Sequence, residues 1–271
     1  MLLLRFSDPN GFSNVSSLQG KVIIITGASD GIGACLAATL GKHGANLCLT
    51  ARNEARLSRV AGSDHLVVPG DVTIDSVRSA IVAKTVERWG KIDILINNAG
   101  RGSYYAASNT PLDEARAVFD LNFFAPLALS QLAFPFLRQA RGTLVNIASI
   151  AAEVSLPWLP VYSASKFALA GITAAQRTEF RRDGVHVMGV FPGYVKTDFQ
   201  AHAAGERPPA RVVQGKRFAV SAEECTEAIV HGMTHRRRTV VTPRSGWLLV
   251  WANRFLPSFI ESQLERALRA G

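Results

Sequence analysis

Short apolar runs alternate with amphipathic stretches along almost the whole chain. Apolar strands are predicted over Lys21–Thr26, Asn46–Ala51, Asp93–Ile96 and Gly142–Ser149, and a helix is predicted over Ile32–His43. Strands that alternate with helices are typical of βαβ units, in which the strands run parallel and helices cover the sheet. No long linker, low-complexity tract or internal repeat divides the pattern. The sequence therefore predicts an α/β fold with a doubly wound parallel sheet, helices on both faces and a single domain.

The composition narrows the classes of protein that this chain can represent. It has 271 residues, of which 48% are hydrophobic, and this is enough for a large core. The net charge is +9, but Lys and Arg are scattered and no basic helix carries interleaved aromatic residues, so nucleic-acid binding is not expected. Cys35, Cys48 and Cys225 are too widely spaced for a metal cluster or a disulfide framework, and they indicate a reducing cytoplasm. The apolar run Met1–Arg5 is too short for a signal peptide, so secretion is not expected.

A glycine-rich turn follows the first predicted strand. Gly27, Gly31 and Gly33 lie between this strand and the predicted helix, and Ser29 and Ile32 belong to the same turn. Glycines let the backbone approach phosphate groups, and the first turn of a helix offers unpaired N–H groups and a partial positive charge. Strand, glycine turn and helix together predict the dinucleotide site of a Rossmann-type sheet, with a spacing looser than the usual fingerprint.

The end of the second predicted strand bears on the choice of cofactor. An acidic residue at this position would bind the ribose hydroxyls and select NAD. The sequence has Arg52 and Asn53 here instead, and the guanidinium of Arg52 suits the additional phosphate of NADP. The alternative is an ordinary surface arginine.

Two further strand ends offer polar contacts to a cofactor. Asp71, with Val72 after it, follows a predicted strand and would accept a hydrogen bond from the adenine amino group. Asn98, Ala99 and Gly100 close the strand that ends at Ile96. Both groups lie where open parallel sheets bind ligands. The alternative for each is a polar turn that caps the next helix.

Ser149, Tyr162 and Lys166 form the most informative group of polar side chains. Tyr162 and Lys166 are four residues apart in a predicted helix, so their side chains share a face. A neighbouring ammonium group lowers the pKa of a phenol and makes it a better acid or base. Ser149 ends an apolar strand, and its hydroxyl would hold a substrate oxygen while Tyr162 moves the proton. The alternative for the Tyr–Lys pair is an exposed polar face of a helix.

Taken together, these motifs resemble the short-chain dehydrogenase/reductase family over about Gly20 to Pro243. The cofactor turn is matched by Thr26–Gly33, the second signature by Asn97–Gly100, the catalytic tetrad by Asn122, Ser149, Tyr162 and Lys166, and the nicotinamide segment by Pro192–Thr197. The resemblance implies an oxidoreductase that moves a hydride between a nicotinamide cofactor and a carbonyl or alcohol. NADP(H) is expected from Arg52. NAD(H) stays an alternative, because Ser29 and Asp30 stand where NADP-preferring members often carry a basic residue.

The resemblance also implies a role for each member of the site. Tyr162 would donate the proton in reduction, and Lys166 would lower the pKa of Tyr162 and bind the nicotinamide ribose. Asn122 would hold a water that links Lys166 to solvent. Val195 through its backbone and Thr197 through its hydroxyl would contact the carboxamide. The competing function is a cofactor-binding scaffold or redox sensor without turnover, and an intact tetrad argues against it.

Substrate contacts are expected from three segments, Arg101–Tyr105, Ala151–Trp158 and Tyr194–Val220. The last has little regular pattern, with glycine and prolines, and suits a mobile substrate lid or an ordinary surface loop. Large apolar side chains that would line a pocket are Tyr104, Tyr105, Val154, Leu156, Trp158 and Leu159. They favour a lipid-like, steroid-like or aromatic carbonyl over a sugar.

The two ends of the chain complete the predicted organisation. Residues 1–19 form an N-terminal extension, 20–243 the catalytic domain with a lid at 194–220, and 244–271 an apolar and basic C-terminal segment. This segment follows Arg236–Arg238 and would rest on an anionic membrane surface, pack on the body or form a subunit interface. Its apolar run Trp247–Ile260 is interrupted by polar residues, so a transmembrane span is not expected. The apolar helix around Phe123 to Phe136 and the resemblance indicate a homodimer or homotetramer.

Overall fold

Seven parallel strands form the central sheet of the protein, and two short strands form a second sheet. The computed structural model describes residues 18–206 and 219–269, with side chains described as far as Arg266. The strands are β1 (Val22–Thr26), β2 (Asn46–Thr50), β3 (Leu66–Val67), β4 (Ile94–Asn97), β5 (Ser103–Tyr104), β6 (Thr143–Ile147), β7 (His186–Pro192), β8 (Ala204–Gly205) and β9 (Thr239–Thr242). The order in the large sheet is β3-β2-β1-β4-β6-β7-β9, and β5 pairs in parallel with β8.

Helices cover both faces of the large sheet, as the alternating pattern predicts. They are α1 (Gly31–Lys42), α2 (Glu54–Ala61), α3 (Asp75–Trp89), α4 (Leu112–Phe119), α5 (Ala125–Ala140), α6 (Pro160–Phe180), α7 (Ala222–Thr234), α8 (Gly246–Phe255) and α9 (Pro257–Arg269). The order of the strands reverses at β1, which lies between β2 and β4. This is a single-domain, Rossmann-type doubly wound sheet, and the prediction of the fold is confirmed.

Successive residues of the strands point to opposite sides and fill two cores. Ile23 and Ile25 of β1 pack in one core with residues of α1, α2 and α7, whereas Ile24 packs in the other with residues of α3 and α5. This period of two, with both faces apolar, explains why the strands read as continuous apolar runs.

The strands are shorter than the sequence predicts. Lys21 and Ala51 lie just outside β1 and β2, and β6 ends at Ile147, before Ser149. Asp93, predicted as the first residue of a strand, instead lies just before β4. Its carboxylate accepts hydrogen bonds from the Val22 amide at 2.9 Å and the Lys21 ammonium at 3.0 Å. The buried carboxylate thus fastens the start of β1.

A continuous helical run from Leu112 to Ala140 is long and apolar enough to cross a membrane by length and composition alone. From the sequence, Trp247–Ile260 was instead the best candidate for a span. In the fold, Leu129, Ala133 and Leu137 of this run are buried against the sheet. This part of the run therefore packs as a core helix does.

The ends of the domain differ in part from the predicted organisation. Leu18 of the predicted N-terminal extension is 3% exposed and packs in the core, and residues 1–17 lie outside the described residues. In the predicted lid, residues 207–218, which include Pro208 and Pro209, also lie outside them. The described part of that segment contains the short helical turn Asp198–Gln200, β8 and a bridge between Val195 and Val220.

Candidate active site

The glycine turn between β1 and α1 lies in tight contact with two other loops. A Cβ at Gly27 would lie 2.9 Å from the Cα of Ala99, and one at Gly31 would lie 3.1 Å from the Thr197 methyl group. Gly27 and Gly31 also have φ of +64° and +51°, which favour glycine. The structure thus brings the predicted cofactor residues of three strand ends together.

Asn98 and Gly33 pack closely against this glycine turn. The Asn98 side-chain amide donates to the carbonyl oxygens of Thr26 at 2.9 Å and Gly27 at 3.1 Å. A side chain at Gly33 would collide with the Gly27 carbonyl and the Asn98 amide. Asn98 was predicted to bind cofactor, and its amide nitrogen is used to hold the shape of the turn.

Two arginines, Arg52 and Arg56, follow β2, and one of them lies beside the N-terminus of α1. Arg52 is exposed just after β2, as an arginine that reaches a phosphate would be. Asn53 caps α2, because its side-chain oxygen accepts from the Arg56 amide at 2.9 Å. The Arg56 guanidinium lies 3.5 Å from the carboxylate of Asp30, the N-cap of α1. Sequence reasoning missed Arg56, although it lies one helical turn after Arg52.

The Asp71 carboxylate shapes the turn after β3. One of its oxygens accepts from the Thr73 amide at 2.9 Å and the Thr73 hydroxyl at 2.8 Å. Val72 is buried, and its carbonyl accepts from the Arg78 guanidinium at 2.6 Å. The turn-forming alternative for Asp71 therefore has direct support, while contact with adenine stays a prediction.

Val195 and Thr197 lie beside the glycine turn, after β7. Val195 pairs with Val220, and the Thr197 hydroxyl accepts from the Phe199 amide at 3.4 Å as it caps the next helical turn. Their contacts with a carboxamide stay predictions.

Ser149 and Tyr162 meet through their side chains. Ser149 caps a short helical turn, Ile150–Ala152, and its Oγ accepts from the Ala151 amide at 3.1 Å. Burial raises the pKa of Tyr162 to about 12, the hydrogen bond with Ser149 opposes this rise, and Tyr194 adds to it. At neutral pH the phenol therefore holds its proton.

Lys166 lies close to Tyr162, one turn further along helix α6. It is 3% exposed, its Nζ donates to the Ile147 carbonyl at 2.9 Å, and it lies 5.9 Å from the centre of the Tyr162 ring. Burial lowers the pKa of Lys166 to about 8. Burial sets the direction of the shift for the Tyr162 phenol, and the prediction that Lys166 lowers the pKa of Tyr162 stays a prediction.

Asn122 is fully buried in a π-helical turn, Asp120–Phe124, between α4 and α5. Its side-chain oxygen accepts from the Arg101 amide at 2.9 Å, and its nitrogen donates to the Arg101 carbonyl at 2.9 Å and the Ser165 hydroxyl at 3.0 Å. A Cβ at Gly100 would lie 3.1 Å from Asn122 Oδ1 and 3.3 Å from Lys166 Nζ. The side-chain amide of Asn122 is thus engaged with protein, and a water that links Lys166 to solvent stays a prediction.

Aromatic side chains form a wall around Tyr162. The Phe199 ring centre lies 5.9 Å from that of Tyr162. Burial raises the pKa of Tyr104 to about 12, and the Tyr194 and Tyr162 phenols add to this rise. Among the other predicted pocket residues, Val154 and Leu159 are buried at 1% and 6% exposure and belong to the interior.

A buried polar network behind the site was not predicted. Asn146 of β6 accepts from the Asn97 amide at 2.9 Å and donates to Thr173 at 2.9 Å and Gln176 at 3.2 Å. It joins β4 and β6 to α6, the helix that carries Tyr162 and Lys166. The position of Asn146 within an otherwise apolar strand was the feature of the sequence that could have indicated this network.

Comparison with known proteins agrees with this arrangement. A family model for short chain dehydrogenases matches residues 21–207. The 11-beta-hydroxysteroid dehydrogenase 1A of Arabidopsis thaliana is 37% identical over 250 residues, which cover 86% of this chain and 71% of that protein.

Solved structures show the same fold with two different cofactors. A short chain dehydrogenase from Burkholderia cenocepacia in complex with NADP is 26% identical, with a TM-score of 0.77 over 91% of this chain and 98% of that one. A relative from Burkholderia phymatum in complex with NAD is 24% identical, with a TM-score of 0.79 over 91% and 96%, and supports the fold alone. With the glycine turn, the buried Lys166 and the Ser149–Tyr162 contact in place, the chain belongs to the short-chain dehydrogenase/reductase family of oxidoreductases acting on CH–OH groups.

Proposed function

We propose that the protein interconverts a carbonyl and an alcohol on a hydrophobic small molecule, with NADP(H) as cofactor. The observation that carries this proposal is that the Tyr162 side chain lies beside Ser149, with its ring centre 5.9 Å from the Nζ of the buried Lys166. This arrangement supports a mechanism in which the phenol and the serine hydroxyl both bind one substrate oxygen.

In this mechanism the side chains of the site handle the proton. Ser149 holds the substrate oxygen, and Tyr162 donates its proton to that oxygen during reduction. The phenolate that remains is stabilised by the positive charge of Lys166. This electrostatic interaction is stronger in a buried site than in water. The nicotinamide cofactor, when bound, supplies or accepts the hydride.

The residues at the glycine turn fit such a cofactor. The first turn of α1 presents amides without intrahelical acceptors, and the close packing of Gly27 and Gly31 keeps side chains out of the turn. The residues proposed to hold the cofactor are Gly27, Ser29, Gly31, Ile32, Gly33, Arg52, Asn53, Asp71, Val72, Asn98, Ala99, Gly100, Tyr162, Lys166, Val195 and Thr197. The preference for NADP is supported by Arg52, which is exposed, and by the neighbouring Arg56.

The aromatic wall supports an apolar, ring-containing substrate. The Phe199 ring contacts that of Tyr162, and Tyr104 and Tyr194 are close enough to influence the pKa values of this group. The relative from Arabidopsis thaliana is named for an 11-beta-hydroxysteroid. We therefore place steroids and comparable apolar carbonyls first among the substrates to be tested.

A Tyr162→Phe variant tests the reaction. NADPH and NADH oxidation is measured by absorbance with a panel of steroid, aromatic and aliphatic carbonyls. We expect the variant to lose roughly 10²–10⁴-fold in turnover and to bind NADPH as the wild type does, because only the proton donor is removed. Phe167→Leu, an exposed position on the same helix at 42%, is the matched control and should keep its activity. Undiminished turnover in the Tyr162→Phe variant contradicts the mechanism.

The remaining proposals concern assembly and location. We propose a homodimer or homotetramer, supported by exposed apolar side chains on the α4–α5 region at Leu112, Phe124 and Leu132. Light scattering of the purified protein measures this. The cytoplasmic location rests on the three cysteines, which are free thiols.

A further inference from the structure

Helices α8 and α9 form a C-terminal hairpin with an unusually apolar outer face. Six of its large side chains are between 40% and 76% exposed: Trp247, Leu248, Trp251, Phe255, Leu256 and Phe259. The rings of Trp251 and Phe255 contact each other at 6.2 Å between centres. Clustered apolar side chains of this size mark an interaction surface, unlike apolar residues scattered singly.

The hairpin is attached to the body by its inner face. Val250 is 9% exposed, and the Asn253 amide donates to the Glu153 carbonyl at 2.9 Å. A Cβ at Gly246 would lie 3.2 Å from Ile150, so the start of α8 packs against the turn that follows Ser149. The outward apolar face is therefore held in a fixed position close to the catalytic serine.

The segment that leads into the hairpin and forms its first helix is positively charged. From position 236 to 260 the chain has five arginines, Arg236, Arg237, Arg238, Arg244 and Arg254, and no acidic residue. The first acidic residues beyond it are Glu261 and Glu265, on α9.

Two of these arginines gather beside the same histidine. The pKa of His231 is lowered by burial first, and then by the charges of His235, Arg237 and Arg244. Arg244 lies two residues before α8, so its positive charge stands at the start of the hairpin, and Arg237 lies before β9.

We propose that the α8–α9 hairpin docks on an anionic lipid surface. Exposed tryptophan and phenylalanine side chains partition into the interface between headgroups and acyl chains, and basic residues beside them attract anionic headgroups. A second copy of this chain fits the surface less well. A two-fold contact would place the arginine-rich segment near its own copy and add repulsion.

The docking goes beyond the proposed reaction and does not depend on it. Lipid binding is measured without turnover, so failure of either proposal leaves the other intact. If both hold, docking brings the site that contains Ser149 next to the bilayer in which apolar carbonyls dissolve.

Vesicle flotation of the full chain tests the docking. The probes are vesicles of phosphatidylcholine alone and of phosphatidylcholine with phosphatidylserine. One variant, Trp251→Ser/Phe255→Ser, removes apolar area, and a second, Arg237→Gln/Arg244→Gln, removes charge. The matched control is Ile74→Ser/Phe167→Ser, which removes apolar side chains that are 52% and 42% exposed elsewhere. Circular dichroism verifies that each variant is folded.

The proposal predicts flotation with the anionic vesicles and release by high salt. The apolar variant should bind about tenfold or more weakly. Each arginine removed should cost roughly fivefold, or about twenty-five-fold for both. The control should bind like the wild type.

Three results overturn the proposal. The first is equal flotation of all variants or of none. The second is self-association that Trp251→Ser/Phe255→Ser abolishes in the absence of lipid binding, which assigns the face to a second copy. The third is retention in high salt and alkaline carbonate, which indicates insertion into the bilayer and not docking on its surface.

Discussion

Replacement of Lys166 by methionine should change how the stability of the protein depends on pH. Lys166 is 3% exposed, and burial lowers its pKa from an ordinary 10.5 to about 8. Below the folded-state pKa the lysine is charged in the folded and the unfolded protein alike, and the folded protein bears the cost of a buried charge. Between the two values the unfolded chain binds more protons than the folded one. The free energy of unfolding of the wild type therefore rises with pH in this window.

The size of this rise in unfolding free energy follows from the shift in the pKa of Lys166. A difference of about 2.5 pKa units, at 1.36 kcal/mol per unit, corresponds to about 3 kcal/mol of unfolding free energy. The Lys166→Met variant has no proton to lose, so its unfolding free energy should lack this rise. Loss of the bond to the Ile147 carbonyl lowers the stability of the variant by an amount that does not change with pH.

Urea unfolding of the wild type and the variant at a series of pH values measures the difference. Other titrating groups are common to both proteins and cancel. Tyr162→Phe is the matched control, because burial raises the pKa of that phenol from 10 to about 12, which acts in the opposite direction and at higher pH. A constant difference in stability from pH about 7.5 to about 10.5 would refute the reasoning, since it would mean that the buried ammonium is not penalised.

Four further changes are expected to have defined effects. Gly33→Ala should lower both the melting temperature and NADPH affinity, because the new methyl group collides with the Gly27 carbonyl; calorimetry and a binding titration measure this. Gly171→Ala, in an exposed part of α6 with no atoms near the new methyl group, should instead stabilise the protein by up to about 1 kcal/mol in urea unfolding. Asn146→Leu should destabilise it by about 2–4 kcal/mol in the same assay, because three buried polar partners lose a hydrogen bond. Arg52→Asp should shift the ratio of NADPH to NADH turnover toward NADH, and an unchanged ratio would remove Arg52 as the phosphate ligand.

Features encoded by local pattern were predictable from the sequence. Apolar runs located the strands to within one or two residues, because strands buried on both faces exclude polar side chains. The glycine turn was predictable because Gly27 and Gly31 need backbone conformations that other residues avoid. The four-residue spacing of Tyr162 and Lys166 placed both on one face of a helix that the structure contains.

Features that depend on distant residues were not predictable. The direction of the Tyr162 pKa depends on how deeply the phenol is buried, and helical spacing carries no information about depth. The ion pair of Arg56 with Asp30 and the pairing of β5 with β8 join segments that lie far apart in the sequence. The π-helical turn around Asn122 follows from its bonds to Arg101 and Ser165, which only the tertiary fold brings close.

The small β5–β8 sheet and the bridge between Val195 and Val220 hold the chain on both sides of residues 207–218. The Glu206 amide donates to the Tyr104 carbonyl at 2.8 Å, and the Val220 amide donates to the Tyr194 carbonyl at 3.0 Å. The entropy of closing a loop between two fixed ends grows slowly with length, by about 0.6 kcal/mol for each doubling. Insertions and deletions between Glu206 and Val220 should therefore be tolerated thermodynamically. Such changes should leave Ser149, Tyr162 and Lys166 in place, because these residues belong to other elements of the fold.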